Sequence, residues 1–169
     1  MIFLRLIRKY ILPNADIVAY CLMPNHFHFL LYTDEKVNER IKQGGIIIDP
    51  LTNGIRKLLS GYARSFNLKY HRSGSVFRQK TKYKCLTELN IIYTVQEYCC
   101  NCFYYVHQNP MAASLVTSLN QWEYSSYKDY AGLRNGSLCN KELAVKFCGY
   151  EASSFIKSVG VLVENKLDL

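Results

Sequence analysis

No run of about 18 uninterrupted apolar residues occurs, the length a bilayer-spanning helix needs, although 49% of the 169 residues are hydrophobic. The N-terminal "MIFLRLIRKYILPNAD" carries Arg5, Arg8 and Lys9 inside its apolar pattern and has no small-residue cleavage site. A membrane span and a signal peptide are both excluded on that pattern, and a cytoplasmic protein with no membrane partner is expected. Paired cysteine sets are missing too. Seven scattered cysteines are an odd number and do not make a disulfide framework, which fits a reducing compartment. Cys99 and Cys102 form one C-x-x-C, but Cys21, Cys85, Cys139 and Cys148 stand alone. Free thiols on a helix are therefore favoured over structural zinc. Repeats, low-complexity tracts and linkers are absent, so one unit over residues 1–169 is expected.

Acid is also missing where base is dense. Arg56, Lys57, Arg64, Lys69, Arg72, Arg78, Lys80, Lys82 and Lys84 lie between Leu51 and Lys84 without one Asp or Glu. They account for the formal charge of +8, since the rest of the chain holds 12 basic and 13 acidic residues. A basic excess confined to one stretch is an electrostatic footprint for a polyanion, most often nucleic acid. A merely solvated basic face is the alternative.

Periodicity predicts a helix over Phe3–Leu12, a strand in "DIVAYCLM", a tight turn at Pro24-Asn25 and a returning strand in "HFHFLLYT". "DEKVNERIKQGGIIIDP" reads as a loop. Asp49 and Pro50 then suit the N-cap and first position of a helix whose apolar stripe is Leu51, Ile55, Leu58, Tyr62 and Phe66. "RSGSVFRQKTKYK" reads as a strand with Arg78, Lys80, Lys82 and Lys84 on one face. A long helix is expected from about Thr87 to His107 or Gln108, stopped by Asn109-Pro110. From about residue 133 no signal is readable.

His26 and His28 fall one residue apart in the returning strand, so both imidazoles point to one face. At ~3.3 Å rise per residue their Cα atoms lie roughly 6.5 Å apart, close enough for both side chains to reach one ion. Packing and hydrogen bonding are the commoner fate of such a pair. In "YYVHQNP", Tyr105 and Asn109 are four apart and share a helix face. Tyr104 is turned about 100° from Tyr105, and Tyr98 belongs to the packed stripe of the helix. A zinc hydrolase is disfavoured, because no carboxylate or third histidine stands at metalloenzyme spacing.

"MPNHFHFLLY", "YARSFN", "RSGSVF", "YVHQNP" and "YSSYKDY", in this order, resemble the REP-associated branch of the single-tyrosine HUH transposases, named for His-hydrophobic-His. The resemblance runs from about Ile17 to Ala131, and the histidine strand with the Y-x-H-x-NP helix end is specific as a pair. It implies an α+β fold with a ferredoxin-like antiparallel sheet and helices packed on it. It implies that Tyr105 is the nucleophile and that His26, His28 and Asn109 bind Mg²⁺ or Mn²⁺. Single-stranded or hairpin DNA is the implied substrate, cut to leave a 5′-phosphotyrosine and a free 3′-OH. Arg56, Lys57, Arg64, Arg72, Arg78, Lys80, Lys82 and Lys84 are then the expected DNA-binding residues. Three departures go with it. Only 16 residues precede "IVAYCLM", so the usual first strand is expected to be lacking, as in a truncated copy or a chain completed by a second copy in a homodimer. "NPMAASLV" has Ser114 where the family has glycine, and Lys80 stands where arginine is usual. An active strand transferase and an inactive or domesticated nucleic-acid-binding remnant are the two readings left.

Overall fold

The structure, a computed structural model, describes residues 1–34, 39–77, 81–87 and 94–161. These form two compact units, residues 1–16 with 31–79 and residues 17–30 with 80–169. The chain is of the α+β class, with two small two-stranded sheets and several helices among the described residues. No described helix is long and apolar enough to cross a membrane.

The first unit is built on two helices. Helix α1 (Ile2–Tyr10) buries Phe3 and Ile7 and leads into buried Ile11, one i, i+4, i+8 stripe. Arg8 and Lys9 stay exposed in its last turn, where positive charge suits the helix dipole. The helix ends two residues short of the expected Leu12, as the chain turns ahead of Pro13 and Asn14 Nδ2 takes the Tyr10 carbonyl at 3.0 Å. Helix α2 (Pro50–Lys69) starts where the sequence places it: Pro50 fills the first turn and Asp49 accepts from the Thr52 amide at 2.7 Å. The two helices approach closely enough at Gly54 that a Cβ there would stand 2.2 Å from the Tyr10 carbonyl oxygen. Phe3, Tyr62 and Phe77 close the layer, with ring centroids 5.0 to 6.1 Å apart.

Two expectations about this region are corrected. The segment read as a loop contains an antiparallel hairpin, β3 (Ile41–Gln43) with β4 (Ile46–Ile48), in the register Ile41 to Ile48. Gly44 and Gly45, at φ of 58° and 83°, supply the positive dihedrals that a two-residue hairpin turn needs. The expected basic strand is not formed among the described residues: Arg72–Phe77 and Thr81–Cys85 join no ladder. Four cations on one strand face would repel one another with no acid opposite. Its residues Arg78 and Lys80 lie outside the described residues.

The second unit is organised around a hairpin and one long helix. Strand β1 (Asp16–Leu22) is buried from Ile17 onward, and β2 (Phe27–Tyr32) returns beside it after Pro24-Asn25. The Met23 amide closes that turn on the His26 carbonyl at 2.9 Å. The chain's own Tyr124–Ser126 lies antiparallel to β1: Leu22 N donates to Tyr124 O at 2.8 Å and Ser126 N to Tyr20 O at 2.9 Å. Cys139 bridges to Ile17 as well.

Helix α3 (Val95–Ala112) opens on a capping box formed by Thr94 and Glu97, and residues 88–93 of the helix expected from about Thr87 lie outside the described residues. It also runs through Asn109-Pro110 instead of stopping before them. Pro110 sits in the last turn, where the one amide it lacks costs little, and the true end is a left-handed residue, Ser114 at φ 55°. Leu115 N reaches back to Pro110 O at 2.9 Å, the closing bond of a Schellman cap.

The described residues of the unreadable C-terminal part, as far as Val161, fold onto α3. Helix α4 (Tyr127–Tyr130) lies within "YSSYKDY", and α5 (Lys141–Cys148) and α6 (Phe155–Val159) follow. Phe103 of α3 meets Tyr130, Tyr150 and Phe155 at 4.8, 6.1 and 5.8 Å between ring centroids. Cys99 and Cys102 are buried free thiols in this core.

Candidate active site

The short turn and the two-residue period of β2 put His26 and His28 side by side. Their rings stand edge to face with centroids 4.9 Å apart. His26 is exposed, and its Nδ1 pairs with the Asn25 side-chain oxygen at 2.6 Å. With the Asn25 oxygen as acceptor, the proton of that contact sits on Nδ1. His28 is half-buried, and its Nε2 is a buried polar atom with no hydrogen-bond partner among the described residues. Burial, with a smaller push from the neighbouring His26, lowers its pKa to about 4. At neutral pH it is therefore an uncharged imidazole.

The third ring comes from α3. Tyr105 lies edge to face against His28 with centroids 5.6 Å apart. Tyr104 turns the other way, stacking on Phe155 at 6.3 Å, with its pKa raised by burial. Tyr98 is 3% exposed and belongs to the core. Helical geometry alone separates these neighbours: one step along α3 carries a side chain from the histidine face to the α6 face.

Asn109 lies one turn beyond Tyr105 and is 9% exposed. Its Nδ2 donates to the Tyr105 carbonyl at 2.7 Å, so the amide folds back onto its own helix. The oxygen Oδ1 is the ligating atom that remains. Among the described residues no group of three or more His, Cys, Asp or Glu side chains stands ready to hold a metal ion. An ion at this place would have to use the two imidazoles, an amide oxygen and water.

Sequence reasoning missed the residues that hold this arrangement. His107, two residues beyond Tyr105, is fully buried and shares a 2.7 Å hydrogen bond between its Nε2 and Ser126 Oγ. That hydroxyl in turn accepts from the Tyr20 amide at 3.0 Å, so one serine ties α3 to β1. Asp129, 2% exposed, takes Arg134 in a bidentate pair at 2.7 and 2.8 Å and the Gly136 amide at 3.0 Å. Arg134 also donates to Ser125 O at 2.6 Å and to Tyr20 Oη at 3.1 Å. His107, Ser126 and Asp129 all fall in quoted motifs, "YVHQNP" and "YSSYKDY". The motif was visible; its structural task was not.

The expected DNA-binding residues are dispersed. Arg56, Lys57, Arg64 and Arg72 are exposed in the first unit. Lys82 and Lys84 are exposed in the second, where Lys84 Nζ also reaches Tyr98 Oη at 3.3 Å. Comparison with protein-family models, with curated proteins and with solved structures finds no match to this chain.

Proposed function

We propose that the chain is a metal-dependent DNA strand transferase of the single-tyrosine HUH kind, acting on single-stranded or hairpin DNA in transposition. The observation that carries this is the meeting of three rings from separate elements, His26 and His28 of the hairpin and Tyr105 of α3, at 4.9 and 5.6 Å. On this reading the hairpin and α3 belong to a ferredoxin-like arrangement.

The donor set fits a divalent ion, since His28 Nε2 is buried without a partner among the described residues and imidazole lone pairs are good ligands for such ions. His26 Nε2, His28 Nε2 and Asn109 Oδ1 would hold it. Two imidazoles favour Mn²⁺ over Mg²⁺, which prefers oxygen. When bound, the ion supplies polarisation of the scissile phosphoryl oxygen. Tyr105 Oη attacks the phosphorus, its proton passing to water, and the P–O3′ bond breaks. The departing 3′ oxygen takes a proton from water, leaving a 3′-OH and a 5′-phosphotyrosine. One ester replaces another, so the same 3′-OH can later rejoin the strand without an added energy source. The exposed cations of the basic stretch would bind the DNA backbone.

A nucleic-acid-binding remnant without turnover is the second reading. The tying of the Asn109 amide to the Tyr105 carbonyl of its own helix favours it. Labelled hairpin DNAs with single-stranded flanks, incubated with Mn²⁺ and run on a denaturing gel, separate the two. Wild type should give a covalent adduct, and Tyr105→Phe should give none while keeping DNA binding. An adduct that survives in Tyr105→Phe but not in Tyr104→Phe would move the nucleophile. No adduct from wild type across a hairpin library would leave the remnant.

A further inference from the structure

The end of α2 makes a concavity lined by Arg64, Asn67, Leu68, His71, Arg72 and Gly74, with Ser73 at its edge. It lies wholly within the first unit. The chain turns sharply here because His71 adopts φ 48° and the Arg72 amide closes on the Asn67 carbonyl at 3.0 Å, a Schellman end with histidine at the position glycine usually fills. Such a conformation costs an L-residue roughly 1–2 kcal/mol, so the imidazole is held in this wall against a local preference.

The lining groups are chemically divided. Arg64 and Arg72 carry the charge, and neither forms an ion pair with a carboxylate among the described residues. The Arg72 guanidinium is steadied over the Phe66 ring at 5.6 Å. Asn67 gives its Nδ2 to the Gly74 carbonyl at 2.8 Å, which fixes the amide, and its Oδ1 is buried without a partner among the described residues. A pocket for phosphate alone would not keep a buried acceptor unpaired, because an acceptor repels an anion. The negative end of the α2 dipole points the same way. Leu68 and His71 add an apolar and a planar surface.

We propose that this pocket receives one nucleotide unit of single-stranded DNA, its phosphate between Arg64 and Arg72 and a base N–H on Asn67 Oδ1. Leu68 and His71 lie against the base, as stacking side chains do in single-strand binders. The proposal rests on the DNA reading above for its polymer, but not on the chemistry of Tyr105.

The test is calorimetric titration of the full chain at low salt. Deoxyadenosine 5′-monophosphate should bind at least tenfold more tightly than inorganic phosphate or deoxyadenosine, because each of those supplies half of the contacts. The monophosphate of deoxynebularine, which lacks the amino group of adenine, should bind about tenfold more weakly. Arg64→Gln and Arg72→Gln should each lose about tenfold. His71→Gly, which suits the positive φ, should weaken binding without lowering the melting temperature. A single-stranded dA decamer should displace the monophosphate, and Tyr105→Phe should bind it as wild type does, whatever the outcome of the adduct assay. Phosphate binding as tightly as the nucleotide, indifference to both arginine changes, or failure of the decamer to compete would overturn the assignment.

Discussion

His107 makes the stability of this chain sensitive to mild acid. Its ring is enclosed by Phe103, Tyr130 and Phe155, with centroids at 4.7, 5.5 and 5.5 Å. Burial pushes its pKa down to about 3, against the opposing pulls of the Phe103 backbone and, more weakly, of the Asp129 carboxylate. In the unfolded chain the same imidazole titrates near 6.5. A folded pKa below the unfolded one means that the unfolded state takes the proton first. The stabilising contribution is therefore complete above about pH 6.5 and is lost progressively toward pH 3. Between pH 7 and pH 5 the unfolded histidine becomes charged while the folded one does not, a loss of about 2 kcal/mol at ~1.4 kcal/mol per pH unit. His28, lowered to about 4, acts in the same direction, so wild type alone cannot apportion the effect. His107→Gln removes the titrating group and keeps a polar atom for Ser126. Urea unfolding of both proteins at pH 7, 6 and 5 should show the variant less stable at pH 7, with the gap narrowing by about 2 kcal/mol at pH 5. Parallel pH profiles would refute the argument that His107 is buried uncharged.

Ser114→Gly should stabilise the chain by up to about 1 kcal/mol in the same assay, since φ 55° penalises an L-residue and suits glycine; a loss of stability would mean that α3 does not end in this cap. Gly54→Ala should destabilise by about 1–3 kcal/mol despite the better helix propensity of alanine, because the new methyl meets the Tyr10 carbonyl oxygen at 2.2 Å. A neutral or stabilising result would show that α1 does not sit this close. Asp129→Asn, nearly isosteric, should cost about 1–3 kcal/mol by leaving the partly exposed Arg134 without its charged bidentate partner. A lowered melting midpoint at neutral pH would agree with that, and an unchanged midpoint would contradict it.

Local chemistry was legible where one or two residues decide the outcome. Asp49 and Pro50 start α2 because a carboxylate and a fixed φ suffice for a helix start. Pro24-Asn25 and the alternation behind it place both histidines on one side, and a four-residue spacing places Asn109 one turn beyond Tyr105. Gly44-Gly45 is a signal of the same local kind, since two positive φ values make a tight hairpin turn. Tertiary packing decided the rest. Nothing in "RSGSVFRQKTKYK" reveals that its described residues, Lys82 and Lys84 among them, join no strand, since a ladder depends on what lies beside it. Asn109-Pro110 looks like a helix stop, yet the packing of α3 against α5 and α6 carries the helix past it to Ser114. The closest case is "YSSYKDY": its residues could be quoted, but only the folded chain brings Ser126 to His107 and Tyr20, and Asp129 to Arg134. The hydrogen bond between Tyr20 and Ser126, 106 positions apart, leaves no period or spacing to read, because its geometry is set by the elements between them.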